Sequence, residues 1–399
     1  MPTEKLTFPG HAGHDLAARL DLPAGPVLAT ALFAHCFTCS KDIAAARRIA
    51  ARLSGMGIAV LRFDFTGLGH SGGEFENTNF TSNVDDLLAA CQALDAREMA
   101  PSLLVGHSLG GAAVIKAAAQ IPSVKAVATI GAPFDPAHVT HNFGEALPKI
   151  IEEGVASVNL GGRPFNIGKQ FLDDVAKGEL TPALTNLKAA LLVLHGPRDQ
   201  TVGIENASQI FLAAKHPKSF VTLDDADHLI TRQADADYAA DVIATWVSRY
   251  IDLTAPETPD LPEGVLRSSE VDAGGFLQDI FSGPHHTIAD EPAKYGGTNR
   301  GMTPYGYLSA ALAACTSMTI RMYARRKEWP LDHVSVDVSH AKCHNTDCKE
   351  SGRIDQFDRV VNLHGDLTDD QRARLLEIAD KCPVHKTLES GASVTTTLA

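Results

Sequence analysis

Apolar residues fall into two alternating patterns along the first 252 positions. Short, mostly apolar runs at 27–34, 58–63, 103–105, 124–130 and 189–194 read as strands buried on both faces. Between them, 42–55, 79–94, the small-residue run after 108, 204–214 and 234–250 carry helical spacing. Residues 4–8 and 16–22, around Gly10-His11-Ala12-Gly13, predict a leading hairpin, and 219–223 a last strand. Strands alternating with helices predict a mostly parallel, doubly wound α/β sheet covered on both faces. Between Ala132 and Leu187 the alternation breaks. Short helical pieces and a hairpin at 158–165 there predict a cap over the strand ends.

The pattern changes again at about residue 252. Three prolines and three acids mark 253–264, with a fourth acid, Asp252, just before, as an extended linker. Beyond it, 265–399 reads as an α+β domain. Strands are predicted at 265–272 and 276–281 around Gly274-Gly275, with 283–287 as a turn, and further strands at 334–341, 357–364 and 393–398. Thr303-Pro304 starts a helix that is apolar or small nearly all round to Tyr323, which predicts full burial, including against a partner. A second helix at 369–381 is capped by Thr368, and Cys382-Pro383 starts a third.

A chain of 399 residues is too long for one core and suits two or three domains. Hydrophobic content of 44% and charged content of 21% are those of a globular protein. A formal net charge of -13 argues against nucleic acid or an anionic membrane as main partner. No apolar stretch reads as a membrane span and no secretory leader is visible, so a cytoplasmic location is expected. Seven cysteines, an odd count, then favour reduced thiols.

The chemistry of the first domain centres on Gly106-His107-Ser108-Leu109-Gly110, between a strand and a helix. A serine on so sharp a turn is exposed at a helix N-terminus, where developing negative charge is stabilised. Asp199 and His228 follow later strands, so all three residues reach one edge of the sheet. This assigns Ser108 as nucleophile, His228 as general base and Asp199 as the acid that orients it. Asp225 and Asp227 are weaker rivals, because they adjoin His228 in sequence. An oxyanion hole would draw on the N–H of Leu109 and on the loop after His35, with Phe37 preferred and Cys36 second. Cys36 and Cys39 are spaced C-x-x-C, but no thioredoxin-like pattern surrounds them, so they are expected to be loop thiols. Together with His35-Cys36-Phe37, Gly196-Pro197-Arg198-Asp199 and Asp227-His228, these motifs resemble the α/β-hydrolase family. The resemblance implies hydrolysis of a small acyl ester, thioester or amide through an acyl-enzyme, with no cofactor. Members of that family often carry His-Gly where this chain has His35-Cys36.

In the last third, Cys315 lies in the apolar helix and is expected to be buried, whereas Cys382 sits at a helix start, where the dipole lowers a thiol pKa. The stretches 303–318 and Lys381-Cys382-Pro383-Val384-His385, with Gly365-Asp366-Leu367, resemble the OsmC/Ohr thiol peroxidases. That resemblance implies Cys315 as peroxidatic and Cys382 as resolving thiol, organic hydroperoxides as substrates, a dithiol reductant and an intertwined homodimer. Tyr305-Gly306-Tyr307 stands where the family has acidic residues, which leaves Glu291, Lys294 or Arg300 to supply the activating charges. The alternative is an active hydrolase carrying a non-catalytic dimerisation or thiol-sensing domain. His340, Cys343, His344 and Cys348 are zinc-type ligands whose spacing matches no standard zinc pattern, so no metal is assigned.

Overall fold

The five mostly apolar runs lie side by side at the centre of an eight-stranded sheet. The computed structural model describes residues 3–160, 162–254, 257–271, 275–344 and 353–398. β1 (Thr3–Pro9) and β2 (Asp15–Asp21) form the leading antiparallel hairpin. β3 (Ala29–Ala34), α1 (Ala44–Ser54), β4 (Ile58–Phe63), α2 (Phe80–Asp95), β5 (Leu103–His107), α3 (Leu109–Ala118) and β6 (Ala126–Ile130) then alternate. A capping box starts α2: Asn79 accepts from the Ser82 N–H at 2.7 Å and Ser82 Oγ accepts from the Asn79 N–H at 2.9 Å, a device worth about 1 kcal/mol.

The interruption is a cap built from a 3-10 segment (Pro136–Phe143), α4 (Ala146–Glu153), the hairpin β7 (Val155–Leu160) and β8 (Arg163–Gly168), α5 (Lys169–Val175) and α6 (Thr181–Thr185). The alternation resumes with β9 (Ala190–His195), α7 (Glu205–Ala213), β10 (Lys218–Thr222) and α8 (Gln233–Val247). The strand order is β1-β2-β4-β3-β5-β6-β9-β10, parallel from β4 onward. Successive residues of a strand fill opposite layers. Leu104 joins the core with α2 and α3, while Leu103 and Val105 join the core with α1 and α8. All three are fully buried, at roughly 1.5–3 kcal/mol for each such side chain.

By packing, the chain divides into Met1–Leu266 with Phe281–Thr287, and Arg267–Ile280 with Ile288–Ala399. β11 (Leu266–Glu270), β12 (Gln278–Ser282) and β13 (His285–Ala289) form a three-stranded sheet, so the stretch expected as a turn at 283–287 runs into a third strand. Buried Ile288 and Ala289 hold its end. Thr303 Oγ1 accepts the Gly306 N–H at 3.0 Å and starts α9 (Pro304–Arg326). β14 (His333–His344) and β15 (Arg353–His364) pair antiparallel, followed by α10 (Asp369–Ala379) and α11 (Pro383–Ser390).

Two expectations for this region are corrected. α9 is buried along one stripe only, Leu312, Thr316, Ile320 and Ala324, because β14, α10 and α11 all pack on that side. Met318 and Met322, on other faces, are 69% and 68% exposed. The final strand at 393–398 does not form. Its alternation suits a strand, but no edge among the described residues pairs with it, and Val394 and Leu398 lie exposed.

Candidate functional site

Ser108 occupies the turn between β5 and α3 with φ 55° and ψ -128°, a conformation that costs an L-residue on the order of 1–3 kcal/mol. Its N–H is tied to the Ile130 carbonyl at 2.8 Å. The flanking glycines are dictated by space. A Cβ on Gly106 would lie 2.4 Å from the Gly110 oxygen, and one on Gly110 would lie 2.5 Å from the His35 oxygen. Asp199 stands in the loop after β9, where its Oδ1 accepts the N–H groups of Thr201 at 2.8 Å and Val202 at 2.9 Å. His228 stands in the loop after β10.

The structure brings the three together. His228 Nδ1 lies 2.7 Å from Asp199 Oδ2, and His228 Nε2 lies 2.9 Å from Ser108 Oγ. The Asp199 side chain is only 3% exposed. Burial pushes its pKa up, but the bonds from His228, Val202 and Thr201 outweigh burial and hold it below the usual carboxylate range. Asp199 is therefore an anion aimed at the imidazole. The rivals are occupied elsewhere. Asp227 accepts from Thr231, and Asp225 pairs with Arg198 at 3.3 Å and Arg232 at 3.8 Å.

Three further histidines border this site, and sequence reasoning passed over their roles. His107 Nε2 donates to the His228 carbonyl at 2.6 Å, and His195 Nε2 to the Val202 carbonyl at 2.7 Å. His35 Nδ1 donates to the Cys36 carbonyl at 2.8 Å. Burial lowers the pKa of all three, His107 to about 4, with His228 as its second cause. Neutral rings fix the loops without adding positive charge beside His228. The signal was present: each of these histidines ends or follows an apolar run.

The loop after β3 supplies one side of a cavity of about 470 Å³ that opens over Ser108. Phe37, Leu109, Val139 and Leu160 give it apolar walls, and Arg163 of the cap hairpin adds a positive charge. Phe37 also anchors the cap: its ring centroid lies 4.9 Å from Phe171 and 6.2 Å from Phe143. The N–H groups of Phe37 and Cys36 have no acceptor among the described residues, and the Leu109 N–H heads α3. Buried Lys41 ends the loop, donating to Asp64 from its main-chain N–H and its Nζ, each at 2.6 Å. Cys36 and Cys39 are joined as a disulfide, which corrects the expectation of reduced loop thiols. The Cys39 N–H donates to the Cys36 carbonyl at 3.1 Å, a turn that brings the two Cα atoms within 5.3 Å, inside disulfide reach.

The second pair of thiols is also brought together, and the expected full burial of Cys315 is corrected. Cys315 on α9 is half-buried, whereas Cys382, at the start of α11, is fully buried. The two thiols hydrogen-bond. Burial and then Cys382 push the Cys315 thiol up. Burial opposes ionisation of Cys382, but bonds from Cys315, the His385 N–H and the Thr316 hydroxyl hold it below its ordinary value. Arg359 on β15, which the sequence reading missed, donates from Nη1 to Thr316 Oγ1 and the Ala379 carbonyl, both at 3.0 Å, and from Nη2 to Asp380 at 2.7 Å. It falls in phase with apolar Phe357, Val361 and Leu363, an out-of-place charge that could have flagged it. The main-chain N–H groups of Glu291 and Arg300 donate to Asp290, and Lys294 Nζ lies 4.7 Å over the Tyr295 ring. Cys91 is buried, with its pKa pushed to about 12.

His340 Nε2 lies 2.8 Å from Asp355, and its ring stacks on Tyr305 at 4.3 Å. Cys348 and the side chains of Cys343 and His344 lie outside the described residues. Among the described residues, no group of three or more His, Cys, Asp or Glu could hold a metal, and no helix is long and apolar enough to cross a membrane.

Comparison with known proteins is consistent with two parts. Residues 34–166 match the family described as serine aminopeptidase, S33, and residues 297–397 match the OsmC-like proteins. The esterase domain of a Rhodothermus marinus protein is 52% identical, covers 63% of this chain and 99% of its own, and superposes with a TM-score of 0.53. The mouse alpha/beta hydrolase domain-containing protein 10 is 22% identical, covers 62% of this chain and 99% of its own, with a TM-score of 0.53, a likeness of fold. The human mitochondrial palmitoyl-protein thioesterase ABHD10 is 26% identical over 39% of this chain. The chain spans about half the length of the curated relatives it matches.

Proposed function

Because the chain belongs to the α/β-hydrolase family, with an OsmC-like domain joined to it, we propose that it cleaves a small acyl ester or thioester through Ser108, His228 and Asp199. The observation that carries this reading is the unbroken line from Ser108 Oγ through His228 to Asp199, at 2.9 and 2.7 Å. Ser108 Oγ attacks the acyl carbon while His228 Nε2 takes its proton, and Asp199 stabilises the imidazolium. The oxyanion is held by the N–H of Leu109 and that of Phe37 or Cys36. His228 returns the proton to the leaving alcohol or thiol, and water repeats the sequence on the acyl-enzyme. The named activity of the human thioesterase relative and the esterase domain with 52% identity support an acyl substrate. The test is a panel of acyl esters and thioesters on wild type and Ser108→Ala. Turnover that survives Ser108→Ala overturns the reading.

For the OsmC-like domain the proposed reaction is reduction of organic hydroperoxides by Cys315 and Cys382. Exposure supports Cys315 as the attacking sulfur, since a peroxide must reach it, and Cys382 is enclosed. The hydrogen bond between them gives the Cys315 proton a path to the Cys382 sulfur as Cys315 attacks, and Cys382 then returns it to the leaving alkoxide. The Cys315 sulfur attacks the distal peroxide oxygen, the O–O bond breaks, the alkoxide leaves as the alcohol with the proton relayed through Cys382, and Cys382 then displaces water from the sulfenic acid to form the disulfide. A dithiol reductant restores the pair. A second copy of the chain is the proposed partner of the exposed Met318–Met322 face. A hydroperoxide pulse followed by mass spectrometry tests this: no Cys315–Cys382 disulfide leaves the scaffold or sensor reading in its place.

A further inference from the structure

The Cys36–Cys39 disulfide is used by neither reaction above, yet both cysteines line the cavity over Ser108. We propose that it is a reversible redox site, opened by thiols and closed by hydroperoxides, whose oxidation state sets the oxyanion hole of the hydrolase. The inference rests on the hydrolase reading given above.

The geometry supports both halves of the claim. The bridge spans only residues 36–39, and Phe37 lies inside it. The loop has three other supports: the His35 bond to the Cys36 carbonyl, the Cys39 N–H bond to the same carbonyl, and the pair of Lys41 bonds to Asp64. These survive reduction, so opening the bridge loosens the loop without unfolding it. The freed element is the one carrying the Phe37 N–H. Access to the two sulfurs is unequal. Cys36 is buried and Cys39 is half-buried at the cavity wall. An incoming thiolate therefore attacks Cys39 Sγ, the mixed disulfide forms there, and Cys36 leaves as the thiolate and takes a proton. A second thiol releases Cys39 and departs as the external disulfide. In reverse, one thiolate takes the distal oxygen of a hydroperoxide, the alcohol leaves, and the second thiol displaces water from the sulfenic acid to close the bridge. Each cycle consumes two thiols in one direction and one hydroperoxide in the other.

The experiment equilibrates the full chain in buffers of stepped glutathione redox ratio and divides each sample. One half is alkylated, and the peptide bearing Cys36 and Cys39 is quantified by mass spectrometry. The other half is assayed for hydrolysis of a p-nitrophenyl ester. The expected result is a reversible fall in kcat of threefold or more on reduction, with KM changed less, and the same midpoint as alkylation of the peptide. Removing an oxyanion-hole donor outright costs on the order of 10²–10³, so a loosened donor should cost less. The Cys36→Ser/Cys39→Ser variant should show no response to the redox ratio. A rate that stays flat while the pair is alkylated, a response that persists in that variant, or a pair that is fully alkylated even under oxidising ratios overturns the proposal. Failure of the hydrolase reading would look different: no turnover at any ratio and no labelling of Ser108 by a fluorophosphonate.

Discussion

The ring of His107 donates its Nε2 proton to the main-chain carbonyl of His228 at 2.6 Å, so the residue beside the candidate nucleophile holds the loop of the candidate base. Substituting His107→Leu leaves that carbonyl without its donor, at about 1–3 kcal/mol. The expected outcome is a kcat lower by about tenfold with KM little changed, the size of one such bond. Fluorophosphonate labelling of Ser108 should slow by the same factor, and His107→Gln, which can still donate, should recover much of the rate. Equal losses in the Leu and Gln variants would show that the bond has no such part.

Asp199 and Asp227 provide an internal comparison. Asp199→Asn should lower kcat by about 10⁴, because the amide favours the wrong imidazole tautomer. Asp227→Asn touches the Thr231 and Ile230 contacts and should stay within about threefold, since exposed bonds of this kind are worth little. Steady-state kinetics on the two variants decides which carboxylate serves His228.

Acid should weaken the fold before any carboxylate is titrated. His107 has a pKa of about 4 when folded, against 6.5 when unfolded. The unfolded chain therefore binds more protons between those values. The contribution is complete above pH 6.5, declines as pH falls and is fully lost below about 4, a total of about 3 kcal/mol. His35 and His195 shift in the same direction. Urea midpoints recorded from pH 7.5 to 4.5 should fall steadily, and a flat series would contradict the buried neutral rings.

Much of this arrangement was legible beforehand. The strand-helix alternation, the cap and the convergence of Ser108, Asp199 and His228 follow from local signals: apolar runs, glycines where a Cβ has no room, and loops at successive strand ends. What escaped depends on contacts between distant segments. The burial of α9 is decided by which elements pack on it, and nothing in its own residues says that Met318 and Met322 stay outside. Residues 393–398 carry the alternation of a strand, but pairing requires an edge that lies elsewhere. The Cys36–Cys39 bridge was passed over because cysteine count and compartment were weighed above the turn that brings the two together.

The cap should be detachable in energetic terms. Phe171 is buried between Phe37 and Phe143, with ring centroids at 4.9 and 6.0 Å. Phe171→Ala should cost about 3–5 kcal/mol of local stability. Hydrogen exchange should rise in the cap helices and not in β5 or β9, while KM for apolar esters increases. Uniform loss of protection would mean that the cap and sheet unfold as one.

Arg359→Met removes the donor to Thr316 Oγ1 and the Ala379 carbonyl, whereas Arg359→Lys keeps the charge. Under the peroxidase reading, disulfide formation after a cumene hydroperoxide pulse should slow by about tenfold in the Met variant, a change of about 1.4 kcal/mol in the barrier, and less in the Lys variant. Unchanged trapping rates in both would remove Arg359 from the thiol chemistry.

The position of β10 has a consequence for how the hydrolase comes into being. Ser108 is held mid-sheet on β5, but His228 hangs from the last strand to join, at the opposite edge from the leading hairpin. In chain order the strands through β6 and the turn that carries Ser108 precede the last strand and its loop, which carries the candidate base. Under the hydrolase reading, ester turnover therefore reports assembly of the final edge, and fraying of that one strand would take His228 away from Ser108 while leaving most of the sheet standing.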